Sequence, residues 1–177
     1  LYRYSITADS ISRLNVKQFP SVEFNYIYED SDRVWLGTGG NGVYAYNKSD
    51  NTVYDMAKSN PWKVLLPFKS LFMVAKFSNS YWLGSDQGLF QITEDNSVID
   101  VFAQANRLDL KKTKIRDSLL QNKKLWLGSS SGILTISEGG AIDEQFLLAD
   151  IRDTEPATLF FHSFKIVEVR SGLAHIV

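Results

Sequence analysis

The chain is predicted to be all-β, and three observations predict it. Near-identical phrases recur: VWLGTGGNGVYAYN from Val34 to Asn47, YWLGSDQGLFQIT from Tyr81 to Thr93, and LWLGSSSGILTIS from Leu125 to Ser137. The tryptophans Trp35, Trp82 and Trp126 stand 47 and 44 residues apart, a period at which internal repeats build solenoids, propellers or arrays. Within each unit the apolar positions alternate in short runs divided by turn residues, which is strand spacing and not helix spacing.

The elements follow in order. In the first unit the runs are Val22 to Tyr28, Arg33 to Gly37, Gly42 to Tyr46 and Thr52 to Met56, and the separators are rich in Gly, Asn, Asp and Ser. The second unit gives Ser70 to Phe77, Tyr81 to Gly84, Gly88 to Ile92 and Ser97 to Phe102. The third gives Lys114 to Leu120, Lys124 to Gly128, Gly132 to Ile136 and Ala141 to Leu147. Four antiparallel strands per unit fit a propeller blade.

The Trp-Leu-Gly strand carries apolar groups on both faces, with Trp35 and Gly37 on one and Val34 and Leu36 on the other, so each blade is expected to be covered on both sides. Gly37, Gly84 and Gly128 leave room for a neighbouring backbone or ring. Gly42, Gly88 and Gly132 open the next strand, where a tight hairpin calls for positive φ. The first unit has one more residue than the second between its Trp and this glycine, which reads as a longer loop or a bulge.

These residues also carry a resemblance. A Leu/Val/Tyr-Trp-Leu-Gly-Thr/Ser strand, a short polar turn, then Gly-Leu/Val/Ile and an aromatic-rich strand resembles the two-component regulator propeller repeat. VEFNYIYEDSDRVWLGT is similar to that family's strand, acidic turn and Trp strand. The resemblance covers roughly Leu1 to Ala149, with repeats at about 15–58, 63–105 and 110–149. It implies part of the periplasmic sensor region of a bacterial membrane receptor, a hybrid two-component protein or sensor histidine kinase at the inner membrane. It also implies a homodimeric parent and a ligand among carbohydrate breakdown products or other small molecules. A receptor with a diguanylate cyclase output could use the same ectodomain.

Leu1 to Ser5, LYRYS, resembles the strand after the second glycine, as in GVYAY and GLFQI, so the chain is expected to open inside a blade. The tail of one blade plus three full ones falls short of the roughly four to eight blades of closed propellers. The remaining blades are expected from a longer parent or from further copies. After residue 150 the repeat stops, and IRDTEP leads to ATLFFHSFKIVEV, whose alternation suggests one long strand. PATLFFHSFKIVE resembles the opening strand of the immunoglobulin-like triple-tyrosine module that follows the last blade in the receptor family. The alternative is a strand closing a propeller edge.

With 44% hydrophobic and 13% aromatic residues, the 177-residue chain can bury a sizeable core. Its 19 basic and 20 acidic residues argue against a nucleic-acid partner. The basic run Lys111 to Lys114 with Arg116 reads as a solvated loop. There is no cysteine, hence no disulfide or thiolate metal site. No stretch reaches the ~18 apolar residues of a membrane span, and no signal-peptide pattern opens the chain.

No catalytic motif is present, so this segment is not expected to be an enzyme, and no cofactor or metal is called for. His162 and His175 lack a second ligand at metal spacing. Glu29, Asp30 and Asp32 could suggest calcium, but their setting in a hairpin favours turn chemistry. What remains is a surface. The blade-to-blade loops carry Asn60, Pro61 and Trp62, then Asn106, Arg107 and Asp109. The hairpins carry Thr38, Asn41, Asp86, Gln87 and Ser130. These are expected to gather on one face around a channel mouth. Trp62, the tryptophan outside the repeat, could stack on a flat apolar ligand there or could plug a gap between blades. Alternatives of other classes are a protein-docking propeller and a fragment of a propeller enzyme such as a polysaccharide lyase or a quinone-dependent dehydrogenase.

Overall fold

The computed structural model describes residues 2–107, 110–111, 113–147, 166–170 and 173–176. It contains three four-stranded antiparallel meanders, each wound in simple sequence order. The first blade is β3 (Tyr26–Glu29), β4 (Arg33–Gly37), β5 (Val43–Asn47) and β6 (Thr52–Asp55), and it follows the hairpin β1 (Tyr2–Ser5) and β2 (Ser10–Arg13). The second is β7 (Leu71–Phe77), β8 (Ser80–Ser85), β9 (Gly88–Ile92) and β10 (Val98–Asp100). A single-turn helix, α1 (Val101–Gln104), leads on to the third, made of β11 (Ile115–Gln121), β12 (Lys124–Ser129), β13 (Gly132–Ile136) and β14 (Ile142–Leu147). The hairpin β15 (Ile166–Arg170) and β16 (Leu173–Ile176) comes last. The expected all-β propeller blades are thus present, and β1 pairs antiparallel with β2.

Two expected strands differ. Ser97 to Phe102 is strand only as far as Asp100, because the Asp100 carboxylate accepts the Ala103 N–H at 3.0 Å and caps α1. Val22 to Tyr28 is strand only from Tyr26. Pro20 lacks a donor, and Phe24 packs edge-on against Phe19 and Tyr44 at 5.6 and 5.8 Å. Of the expected strand Ala157 to Val169, positions 166–169 lie in β15, and the rest, with His162, lies outside the described residues. His175 falls on β16.

The two-sided strand explains how the blades stack. Trp35 faces Leu71, Val74 and Leu83 of the second blade, while Val34 and Leu36 face Leu14, Val16 and Phe24. Trp82 faces Leu110, Ile115 and Leu125 toward the third blade. Trp35 and Trp82 have no exposed surface, and Trp126, on the far face of the third blade with Ile133 and Leu119, has 8%. The glycine after each Trp-Leu admits the next blade's first strand: a Cβ on Gly37 would stand 2.4 Å from Leu71 O, and one on Gly84 would stand 2.6 Å from Ile115 O. At those places β7 and β11 bulge, between Leu71 and Met73 and between Ile115 and Asp117. The first strands of consecutive blades are therefore drawn together.

Gly42, Gly88 and Gly132 have φ of 103°, 125° and 135°, the positive values expected of them. The additional residue of the first unit is a longer loop. Pairing there stops at Gly37 with Val43, whereas Ser85 pairs with Gly88 and Ser129 with Gly132.

Candidate functional site

The β4–β5, β8–β9 and β12–β13 hairpins share one built-in device. Thr38 Oγ1 donates to Gly42 O at 2.6 Å and accepts the Asn41 N–H at 2.8 Å. Ser85 Oγ donates to Gly88 O at 3.0 Å and accepts the Gln87 N–H at 3.0 Å. Ser129 Oγ donates to Gly132 O at 2.7 Å and accepts the Ser131 N–H at 3.1 Å. A small hydroxyl ending each Trp strand satisfies the turn internally. The hairpin tips are therefore rigid while Asn41 and Gln87 remain exposed. Incoming segments lock onto the same tips: Gly42 N–H bonds Lys69 O at 3.0 Å, and Lys114 N–H bonds Ser130 Oγ at 3.0 Å. Asp86 lies on this face with its Oδ1 buried and without a hydrogen-bond partner.

Trp62 sits elsewhere. The segment after β6 leaves beside this hairpin face, where Met56 N–H bonds Val43 O. It dips along the blade and returns, with Leu66 N–H bonded to Met56 O. Buried Asn60 pins the dip, donating through Nδ2 to Lys58 O and Val64 O at 3.0 and 2.5 Å. At its tip the Trp62 indole donates to Asp32 Oδ2 at 2.6 Å, beside the β3–β4 turn at the opposite end of β4. It meets Tyr54 edge-on at 6.0 Å.

Between these groups lies Arg33, 7% exposed. Its guanidinium carbon is 4.4 Å from the Trp62 ring centroid, 5.3 Å from that of Trp35 and 5.5 Å from that of Tyr81, and its Nε meets Asp32 Oδ1 at 3.3 Å. The Tyr81 hydroxyl donates to Asp30. Burial tends to raise the Asp32 carboxyl, but the hydrogen bond and charge of Arg33 and the bond from Trp62 outweigh it and hold it below the ordinary carboxylate value. Glu29 pairs with Lys48 at 2.6 Å. Each carboxylate of the suspected calcium cluster thus has a protein partner, and among the described residues no group of three metal-ligating side chains occurs.

Asn106 and Arg107 fall in a third place. Asn106 takes a left-handed φ of 53° just after α1, and Arg107 N–H bonds Phe102 O at 2.8 Å. Arg107 lines a cleft of about 520 Å³ with Gln91, Gln104, Gly140 and Ile142, between the outer edge of the second blade and the β13–β14 turn. Asp109 lies outside the described residues. The sequence-predicted residues therefore do not form one cluster. Asn41, Asp86, Gln87, Thr38 and Ser130 share the hairpin face, Asn60 and Trp62 belong to the cage around Arg33, and Arg107 borders the outer cleft.

Sequence reasoning missed Arg33. The available signal was its place two residues before Trp35, where the other units carry Ser80 and Lys124. Tyr26, a strand tyrosine of the kind expected at a blade interface, lies at the blade boundary, where its hydroxyl accepts the Val74 N–H at 2.8 Å. Burial raises that phenol above its ordinary value. Arg116, expected in a solvated loop, is half-buried in β11.

No family model matches the chain, and no curated protein matches it. Solved structures do. One is an extracellular domain described as part of the hybrid two-component system BT3049 from B. thetaiotaomicron, at 15% identity and TM-score 0.59, over 80% of this chain and 18% of that one. A second is the corresponding domain of BT4673 from the same organism, at 16% and 0.59, over 82% and 19%. A third is PorZ of Porphyromonas gingivalis, described as an essential bacterial surface component of the type-IX secretion system, at 18% and 0.59, over 99% and 27%. The chain spans about a fifth of the length of the two-component domains. At these identities the likeness establishes the fold. It also extends to an ancestral GH74 enzyme, at 15% identity and TM-score 0.51.

Proposed function

We propose that the chain is a sensing and transmitting segment of the extracytoplasmic region of a bacterial membrane receptor of the hybrid two-component type. The observation that supports this most is the coincidence of three Trp-Leu-Gly blades with the fold of the BT3049 and BT4673 extracellular domains. The rigid hairpin tips bearing Asn41, Asp86 and Gln87 are the surface to which a small ligand, carbohydrate-derived in this reading, would bind. Asn60 and Trp62, in the cage around Arg33 at the opposite end of β4, and Arg107, at the outer cleft, lie away from that surface and are not contacts of the same ligand.

Binding would favour one arrangement of the blades over another and pass the bias through residues 151–156 to an immunoglobulin-like module, a dimer and a kinase. A ligand shifts only an equilibrium whose two states it binds differently. In the test, the full-length protein is reconstituted in membrane vesicles and its autophosphorylation is followed against a panel of saccharides. The expected result is a sugar-dependent change; a kinase-free parent, or phosphorylation indifferent to every sugar, overturns the reading. A diguanylate cyclase output would appear instead as sugar-dependent dinucleotide synthesis.

One observation favours a second reading. The likeness to PorZ runs over 99% of the chain, against 80–82% for the receptor domains, which suits a surface component of a secretion apparatus. Protease shaving of intact cells separates the two, because a surface component is cleaved and a periplasmic sensor is protected. An enzyme would reveal itself by turnover of a sugar polymer.

A further inference from the structure

The first strands of the three blades, two of them bulged, place three side chains that the repeat pattern does not reveal. Tyr26, Met73 and Asp117 each pair with the glycine of a Trp-Leu-Gly strand, namely Gly37, Gly84 and Gly128. The residues immediately before them, Asn25, Phe72 and Arg116, are therefore equivalent. They stand where the innermost strands reach the hairpin face, and Phe72 and Arg116 are the bulged residues themselves. A bulge takes a side chain out of the alternation and re-aims it. Phe72 accordingly belongs to neither apolar interface, although Leu71 and Met73 on either side of it do.

The guanidinium of Arg116 lies 4.7 Å from the Phe72 ring centroid. Its Nε is buried and has no hydrogen-bond partner. Asp86 Oδ1 on the same face is likewise buried and unpartnered, and Gly84, two residues before it, abuts Ile115, the neighbour of Arg116. Both side chains are only half-buried, so a ligand on this face meets the terminal guanidinium nitrogens of Arg116 and Asp86 Oδ2, while the covered Nε and Oδ1 hold the two groups in place. Asn25 adds an exposed amide beside Gly39, whose added Cβ would stand 3.4 Å from Asn25 Nδ2.

We infer that Phe72, Arg116, Asp86 and Asn25 form a binding site for a sugar acid, a hydroxylated ring bearing a carboxylate. The guanidinium takes the carboxylate, the Asp86 carboxylate accepts ring hydroxyls, the amide bonds a further hydroxyl, and Phe72 offers an apolar face to the ring C–H groups. A neutral sugar would leave Arg116 unsatisfied, so the charge sets the specificity. This assignment rests on the reading that the hairpin face takes a ligand, and it names that ligand's class.

The test is calorimetric titration of the chain with glucuronate and with glucose. Glucuronate is expected to bind at least tenfold more tightly, with the difference abolished in Arg116→Gln and kept in part in Arg116→Lys. Asp86→Asn is expected to weaken glucuronate severalfold without changing the preference for charge, and circular dichroism checks that each variant is folded. Equal affinity for the two sugars, no binding of glucuronate, or an Arg116→Gln variant that binds as the parent does would overturn the site. Should the full-length protein still respond to a sugar while Arg116→Gln leaves that response intact, this site fails and the sensing reading stands.

Discussion

The first and second blade boundaries use the same strand geometry and each bury an apolar cluster, but their outer edges are closed by different chemistry. At the first, Trp35 is covered by a dipping loop whose tip, Trp62, closes over the buried Arg33, so a cation, three aromatic rings and Asp32 fill the edge. At the second, Ser80 stands in the place of Arg33 and accepts from Gln91 Nε2 at 3.0 Å, while α1 drives Val101 and Phe102 into an apolar interface with Leu110, Ile115 and Leu127. The repeat therefore fixes how blades approach one another and leaves each boundary free to choose its sealant. An apolar seal gains from area alone. A caged arginine must recover its desolvation from partners, so it stabilises less and specifies more.

The largest effect that would sharpen this contrast is Phe102→Ala. Phe102 is 1% exposed, and its removal is expected to cost about 3–5 kcal/mol in urea unfolding. An effect no larger than that of Trp62→Ala would break the comparison. Gly37→Ala and Gly84→Ala probe what the boundaries share: the added methyl would meet backbone oxygens of Leu71 and Ile115, so each is expected to lose about 3 kcal/mol or more, and by similar amounts. Trp62→Ala, from a half-buried position, is expected to cost about 1–2 kcal/mol. A double-mutant cycle with Arg33→Met should return a coupling of about 1 kcal/mol, and zero coupling would mean that the cage is only packing.

The smallest effect is a pH dependence at the first boundary. Because the folded pKa of Asp32 is depressed, its contribution is present above the ordinary carboxylate value and is lost as pH falls through the depressed one. Asp32→Asn should therefore flatten the acid limb of stability measured by denaturation between about pH 2 and 5. The second boundary has Asn79 in that place.

Much of this was legible. The twelve blade strands, the positive φ of Gly42, Gly88 and Gly132, and the two-sided burial of Trp35 and Trp82 follow from alternation, turn residues and a repeated Trp. The failures have physical causes. VIDVF reads as strand because Val98, Val101 and Phe102 are β-formers, and only the Asp100 side chain, free to cap, ends it. Trp62 is expected on the hairpin face because a blade-to-blade loop starts and ends there; nothing local announces that the loop dips to Asp32 in between. Phe72 and Arg116 were invisible as a pair because a bulge breaks the alternation from which side-chain direction is read.

The sequence by itself determined the repeat, its four-stranded unit and the need for cover on both faces, since these depend on local alternation and on residues that tolerate few backbone conformations. Only the tertiary structure decided that Arg33 is caged, that Asp86 and Arg116 keep unsatisfied atoms on one face, and that two identical motifs are sealed by different chemistry. Those outcomes turn on groups distant in the chain meeting across blade boundaries, and the physical reason is that packing, unlike propensity, is set jointly by both partners.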